Sequence, residues 1–203
     1  MQIKDFFRFS DDTNTVTFRA GALDLKDDEE GVNDRDRLII GKYEGITFPV
    51  VFKQFQGKKL LNILGTGWPG LYLISDKTKT VLEENHLTGW KTFPIKLYDK
   101  KENEILGYHG FSVTGRCGPI DYQKAEIVDR QRIPTGPVFK AYKGLYIGLD
   151  KWDGSDFFIP DKTLFRIVTT NAANILKKDK TLNAELTNCA DFEMSVSSVL
   201  IKD

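Results

Sequence analysis

Residues 165–182 read FRIVTTNAANILKKDKTL. The short apolar start of this stretch is typical of a buried strand, and Thr169 follows as a hydroxyl residue placed to cap the N-terminus of a helix. Ala172, Ile175 and Leu176 then stand at positions i, i+3 and i+4 of that helix, so one helical face can be buried. The pattern predicts a β-α unit whose helix packs on a sheet.

A second stretch with the same pattern spans residues 71–87 and reads LYLISDKTKTVLEENHL. Its LIS motif aligns with the IVT motif of residues 165–182, which makes Ser75 the counterpart of Thr169 as a helix cap. Its VL pair aligns with the IL pair of the other helix. The two stretches therefore predict an internal repeat of two short β-α units, at about 71–87 and 165–182.

Strand patterns dominate the rest of the chain. They are short segments rich in β-branched and aromatic residues, punctuated by Gly, Asp or Pro. They lie at 15–19, 46–52, 93–98, 111–114, 138–142 and 145–149. We predict an α+β fold of mostly antiparallel strands, with the two helices packed on the sheet. We divide the chain into a β-rich N-terminal segment, 1–60, within the same globule, and an α+β domain, 61–203, that contains the repeat.

The composition is that of an ordinary globular protein and limits the possible partners. The 203 residues include 29 Lys plus Arg and 29 Asp plus Glu, so the formal net charge is zero. Because phosphate contacts supply most of the affinity for nucleic acids and need a basic excess, we expect no nucleic-acid partner. Charges interrupt the first residues (MQIKDFFR), and no apolar run approaches the ~20 residues of a membrane helix. We therefore expect no membrane contact and a cytoplasmic location.

A glycine-rich segment, residues 107–121, contains the one arrangement from which a nucleophilic site can be drawn. It reads GYHGFSVTGRCGPID and contains His109 and Cys117. A thiol enzyme needs a cysteine of lowered pKa with a base within hydrogen-bond reach, so this pair defines the alternative in which the chain is an enzyme. The flanking residues match no cysteine-protease signature, which favours a turn cysteine beside a structural histidine. We also expect the chain to bend sharply around Gly115–Pro119.

Metal and phosphate sites are not predicted. Cys117 and Cys189 lie 72 positions apart, so the close ligand pairs of a structural zinc site are missing from the sequence. Residues 65–70 (GTGWPG) precede a strand and open no helix, which predicts a turn rather than a phosphate-binding loop. Residues 24–36 hold seven acidic residues in thirteen without the ligand spacing of an EF-hand, and predict a mobile charged loop. We expect no metal and no cofactor.

The three tryptophans, Trp68, Trp90 and Trp152, each stand in a predicted turn. Tryptophan is an ordinary core residue, but a partly exposed tryptophan is a favoured anchor at protein interfaces. Charged residues flank Trp152 in the sequence DKWDGSD, so we expect it to be the exposed one of the three.

The C-terminal part of the chain carries a family resemblance. Residues 152–158 read WDGSDFF and are followed by LFRIVTT at 164–170 and then by the predicted helix. This arrangement resembles the C-terminal part of the eleventh immunity-protein family of bacterial polymorphic-toxin systems. The LTGW motif at 87–90, the FPI motif at 93–95 and Tyr108 look like the middle region of that family. The resemblance covers about residues 70–195.

The resemblance implies a non-catalytic binding protein that neutralises a cognate bacterial toxin by direct protein-protein contact. On that hypothesis the loop residues Trp90, Trp152, Asp153 and Asp156 are candidates for partner binding, and the acidic stretch 24–36 adds charge that would speed association. Two alternatives stay open at this point. One is a thiol-dependent enzyme centred on Cys117 and His109, and the other is a ligand-binding domain.

Overall fold

The computed structural model describes residues 1–11, 14–26 and 33–196. The described residues form three helices and sixteen strands. The helices are α1 (Asp34–Ile40), α2 (Asp76–Glu84) and α3 (Thr170–Lys178). The strands are β1 (Phe6–Ser10), β2 (Arg19–Ala22), β3 (Val50–Gln56), β4 (Ile63–Gly65), β5 (Tyr72–Ser75), β6 (Trp90–Phe93), β7 (Ile95–Tyr98), β8 (Tyr108–Val113), β9 (Gly115–Ile120), β10 (Glu126–Gln131), β11 (Val138–Lys143), β12 (Ile147–Gly148), β13 (Phe157–Pro160), β14 (Arg166–Thr169), β15 (Glu185–Asn188) and β16 (Glu193–Ser195). The predicted mixed α+β, sheet-dominated class is confirmed.

The strands form four sheets that are mostly antiparallel. The largest has six strands in the order β12-β9-β13-β14-β1-β15, and a second has the order β4-β5-β8-β6. Two three-stranded sheets have the orders β2-β3-β7 and β10-β11-β16. The parallel pairs are β9 with β13 and β3 with β7. Strands from the first 60 residues therefore lie in two of these sheets, where they pair with strands from later in the chain.

A strand runs directly into a helix at two places, and a hydroxyl side chain caps each helix. At the start of α2, Ser75 Oγ accepts a hydrogen bond from the backbone N–H of Thr78, at 3.2 Å. At the start of α3, Thr169 Oγ1 accepts one from the backbone N–H of Ala172, at 3.3 Å. The two strands lie in different sheets, β5 in the four-stranded one and β14 in the six-stranded one.

The six-stranded sheet has a hydrophobic cluster on each face, because successive side chains of a strand point to opposite faces. In β13, Phe157 packs in the larger cluster and Phe158 in the smaller one. In β14, Val168 packs in the larger cluster and Ile167 in the smaller one. The smaller cluster also contains Cys117 and Cys189, together with Phe6, Ile120 and Leu145.

The expected bend at Gly115–Pro119 is wrong. These residues belong to β9, which pairs in parallel with β13, and the break between β8 and β9 falls at Thr114. The glycines serve close packing instead of a turn. A Cβ on Gly115 would lie 2.3 Å from the backbone oxygen of Phe157, and one on Gly118 would lie 3.0 Å from that of Gly148.

Other predicted segments differ in extent or kind. The strand expected at 46–52 begins only at Val50 as β3, after the cis peptide bond between Phe48 and Pro49. The strand expected at 145–149 shortens to β12. Within the acidic stretch 24–36, residues 27–32 lie outside the described residues. Its end is helical, because Asn33 Oδ1 accepts hydrogen bonds from two backbone N–H groups and caps α1.

Candidate functional site

Strands β10 and β11 form a hairpin over residues 126–143, which we call the 126–143 hairpin. Its ladder runs from Glu126 opposite Lys143 to Gln131 opposite Val138. On its other side β11 pairs with β16, whereas β10 pairs only with β11 among the described strands. The outer side of β10 is therefore a sheet edge in the described part of the chain, where the backbone N–H and C=O groups have no neighbouring strand.

The outward face of the hairpin is apolar at both ends and charged in the middle. Ile127 and Asp129 alternate along β10, so they share a face with the residues opposite them and with Val138. The side chains of Ile127 and Val138 are 57% and 62% exposed. Between them, Lys140 Nζ lies 3.2 Å from Asp129 Oδ1. Ile133, in the turn, is 60% exposed as well.

The inward side of the hairpin is held to the rest of the chain. Ala141 is buried on this side. On the outward face, the ring of Tyr142, opposite Ile127, lies 5.4 Å from that of Tyr122 and fixes that end of the hairpin. Arg130 donates from Nε and Nη2 to the two carboxylate oxygens of Glu193 on β16, and these bonds hold the pKa of Glu193 below its usual value. The exposed aliphatic residues therefore belong to a hairpin that is fixed to the rest of the chain.

Among the sequence candidates for partner binding, Asp156 joins two segments distant in sequence. Its Oδ2 accepts hydrogen bonds from the backbone N–H and the hydroxyl of Thr88, at 3.0 and 3.1 Å. Its Oδ1 accepts one from the hydroxyl of Thr169, at 2.9 Å. Asp156 thus ties the loop before β6 to the helix cap of α3. We call residues 88–90 with 152–156 the Thr88–Asp156 junction.

The other candidates in this junction also make internal contacts. Trp90 donates from Nε1 to the carbonyl of Leu87 at 2.7 Å, and Trp152 donates to that of Ser155 at 3.1 Å. Asp153 accepts a hydrogen bond from the backbone N–H of Arg116 at 2.8 Å.

The structure does not single out Trp152 as the exposed tryptophan, because Trp68, Trp90 and Trp152 are all half-buried. The ring of Trp152 lies 5.6 Å from that of Phe6 and packs against the smaller hydrophobic cluster. The flanking charges therefore mark a loop, but the tryptophan itself is used for packing. Whether Trp90, Trp152, Asp153 and Asp156 contact a partner stays a prediction.

The structure does not bring His109 to Cys117. His109 Nε2 lies 2.7 Å from Oδ1 of Asp76, the first residue of α2. Cys117 is 1% exposed, and its Sγ donates to the carbonyl of Gly118 at 3.3 Å. Burial, with a smaller effect of the negative charges of Asp161 and Asp153, raises the pKa of the Cys117 thiol to about 12. A thiol that keeps its proton at neutral pH is a poor nucleophile.

Arginines that the sequence analysis did not select line an open pocket of about 840 Å³. They are Arg8 on β1, Arg19 on β2 and Arg166 on β14, and we call the site the arginine pocket. A sequence signal for two of them exists, since Arg8 (FFRF) and Arg166 (FRIV) interrupt apolar strand runs. A charge at such a position needs a partner or a ligand.

Within the described ranges, no group of three or more His, Cys, Asp or Glu side chains is placed to hold a metal ion. None of the helices found in those ranges is long and apolar enough to cross a membrane.

Comparison of the chain with models of known protein families and with curated proteins finds no match in either case.

Proposed function

We propose that the chain is a non-catalytic binding protein of the immunity type, which neutralises a cognate bacterial toxin by direct protein-protein contact. The observation that carries the proposal is the outward face of the 126–143 hairpin, where Ile127, Ile133 and Val138 are each more than half exposed. Exposed aliphatic residues beside an unpaired strand edge favour association with another chain, and natural proteins usually protect such edges.

The hairpin offers two kinds of contact at once. The edge of β10 can add a strand from the partner through backbone hydrogen bonds, and the aliphatic side chains can enter apolar pockets of the partner. The charged residues Asp129 and Lys140 lie between those side chains, where they would set register and speed association more than they would add affinity. A stable complex of standard size would bury ~1,600 Å² in total, so further surface must contribute.

The family resemblance over about residues 70–195 supports the same proposal, because the implied family binds toxins and has no agreed catalytic residues. We also propose that residues 71–87 and 165–182 are two copies of one β-α unit. In its favour, Ser75 and Thr169 cap helices of nine residues each. The pairing of Cys117 with His109 has no comparable support, since each has a different partner.

The test is neutralisation in living cells. The product of the adjacent gene is expressed in a test bacterium, alone and together with this chain, and growth is measured. We expect growth to stop with the product alone and to recover when the chain is present. The two purified proteins should also elute together in size-exclusion chromatography.

The surface is tested with matched variants. The double variant Ile127→Asp, Val138→Asp should lose at least about 100-fold in affinity and fail to restore growth, because two apolar anchors become charged. The control is Leu106→Asp, which charges an aliphatic residue that is 78% exposed in another part of the chain. A toxic product that the folded chain does not neutralise would contradict the proposal, and so would a harmless product that does not bind. Full rescue by the double variant would remove the hairpin from the interface.

A further inference from the structure

The arginine pocket holds more hydrogen-bond donors than the protein uses. Arg166 is 6% exposed and donates from Nη1 to the carbonyl of Leu164, at 2.7 Å, and from Nη2 to the hydroxyl of Tyr72. A guanidinium has five N–H donors, so about three of those on Arg166 have no partner within the described residues. Buried charged groups normally have their donors satisfied, which makes the surplus informative.

Arg8 carries a second set of unused donors. Its guanidinium lies over the ring of Phe192, 5.0 Å from the centroid, and 5.8 Å from that of Phe165. In the described part of the chain no carboxylate or carbonyl accepts a hydrogen bond from it. Arg8 and Arg166 also repel each other. Burial is the main cause that lowers the pKa of Arg166, and the positive charge of Arg8 lowers it further.

The third arginine pairs with an acid whose negative charge also acts on Arg166. Arg19 Nη2 lies 3.2 Å from Oδ2 of Asp11, which is 8% exposed. The remaining acid on the pocket wall is Glu185, whose side chain is exposed. Consistently, the side-chain nitrogens buried without a hydrogen-bond partner among the described residues are the Nε atoms of Arg8, Arg19 and Arg166.

The wall of the pocket has an apolar part next to the cationic one. Phe55 lines it and is 47% exposed, so its ring is available for contact with a ligand. The glycine-rich loop 66–70 forms another part of the wall. Gly70 has a φ of +90°, and a Cβ there would lie 1.9 Å from Arg166 Nη1, so this loop leaves room for the guanidinium.

We propose that the arginine pocket binds a small organic phosphate monoester. Arg8 and Arg166 leave β1 and β14 on opposite faces of the six-stranded sheet, but both line the pocket. The dianionic phosphate group would lie where the two arginines reach the pocket, and the organic part would contact Phe55. Arg8 and Arg166 supply two cationic donor groups for the dianion, and guanidinium groups pair with phosphate oxygens in bidentate fashion. The pocket volume of about 840 Å³ lies within the range of ~300–1,000 Å³ that small-molecule sites occupy. This site is independent of the 126–143 hairpin and of the toxin-binding proposal.

The proposal is tested with phenyl phosphate as the probe, added to the full chain at neutral pH. Calorimetry should show saturable binding, and the Nε–H signals of Arg8 and Arg166 should shift in ¹H–¹⁵N spectra of the wild-type protein. Arg8→Gln should weaken binding at least about tenfold, because it removes charge-assisted hydrogen bonds worth roughly 1.5–3 kcal/mol. The control Arg132→Gln removes an exposed arginine near Phe139 and should leave the affinity within about twofold of wild type.

Other probes separate the parts of the proposal. Inorganic phosphate tests the contribution of the organic part, and benzoate tests the need for a dianion. We expect both to bind more weakly than phenyl phosphate. Equal binding of inorganic phosphate would overturn the contact with Phe55, and equal binding of benzoate would overturn the match to a dianion. If phenyl phosphate does not saturate by about 5 mM, or shifts neither arginine signal in the wild-type protein, the site is not a phosphate site. The spectra decide this even if Arg8→Gln fails to fold.

Discussion

The segment 108–120 has an unusual composition and is largely buried, whereas the 126–143 hairpin has an ordinary composition and is largely exposed. The segment 108–120 contains residue types that are common in active sites: glycines, a histidine, an arginine and a cysteine. In the structure it forms β8 and β9 in the interior, with Cys117 buried and His109 paired with Asp76. The hairpin has an ordinary composition, yet it exposes large aliphatic side chains beside an unpaired edge.

Residues that are unusual in a sequence can serve packing, while ordinary ones form the accessible surface. Glycine is needed in 108–120 because neighbouring atoms approach closely, not because the backbone turns. A Cβ on Gly110 would lie 2.0 Å from the ring of Phe93. Exposure, by contrast, depends on which strand becomes the sheet edge, and that depends on the whole topology.

The largest effect is expected from filling the tight site in 108–120. Gly115→Ala places a Cβ 2.3 Å from the backbone oxygen of Phe157, which cannot move without disturbing β13. We expect a loss of about 3 kcal/mol in the free energy of unfolding, measured by urea denaturation. Gly21→Ala is the control, because its Cβ would meet only Phe55, at 3.7 Å. Equal losses in the two variants would show that packing is not the reason for Gly115.

A smaller loss is expected at the Thr88–Asp156 junction. Asp156→Ala removes an acceptor of three hydrogen bonds and leaves the donors of Thr88 and Thr169 without it. We expect about 2 kcal/mol of destabilisation in thermal or urea unfolding. The exposed Asp150→Ala should change stability by less than about 0.5 kcal/mol. An Asp156→Ala variant that is fully stable but binds no partner would instead give this carboxylate the binding role predicted from the sequence.

Local signals in the sequence could predict the class of the fold but not its surface. The hydroxyl residues Ser75 and Thr169 and the helical spacing of Ala172 and Leu176 can be read within a few residues, because capping and one-sided burial are local effects. The parallel pairing of β9 with β13 joins segments far apart in sequence, and no local pattern encodes it.

The candidate sites were harder to predict for the same reason. Arg8, Arg19 and Arg166 meet only after three separate strands are placed in the fold. The exposure of Ile127 and Val138 depends on the position of β10 at an edge. Before folding, these aliphatic residues look like core residues, while Cys117 looks like a reactive group.

The thiol of Cys117 gives a pH-dependent test of burial. Its pKa is raised from 9.0 to about 12 in the folded protein, so the unfolded chain ionises first as the pH rises. The contribution to stability is complete below about pH 9 and declines above it, by at most about 1.4 kcal/mol per pH unit. Between pH 9 and 10, wild type should lose up to this amount more than Cys117→Ala, each compared with its own stability at pH 7.

Labelling gives a second readout of the same burial. Iodoacetamide should leave Cys117 unmodified at pH 8 in the folded protein and modify it in urea. Rapid labelling of the native protein at neutral pH would contradict the account and would favour a reactive thiol.

The smallest effect on stability is expected in the hairpin. Ile127→Asp replaces a side chain that is 57% exposed, so the free energy of unfolding should change by less than about 0.5 kcal/mol. The contrasting variant is Ile39→Asp, at a position that is 1% exposed. It should not fold stably, because it buries an unpaired charge, and urea denaturation of both variants measures the difference. A large loss at Ile127 would mean that this side chain supports the fold and is not held free for a partner.

Amide hydrogen exchange with and without the product of the adjacent gene tests whether the 126–143 hairpin is the contact surface. In the chain alone, amides on the outer edge of β10 should exchange fast, while those of 108–120 should be protected. In the complex, protection should appear across residues 126–131 and stay unchanged in 108–120. Unchanged exchange in the hairpin, with new protection at the Thr88–Asp156 junction, would contradict the claim and would assign the interface to Trp90 and Trp152.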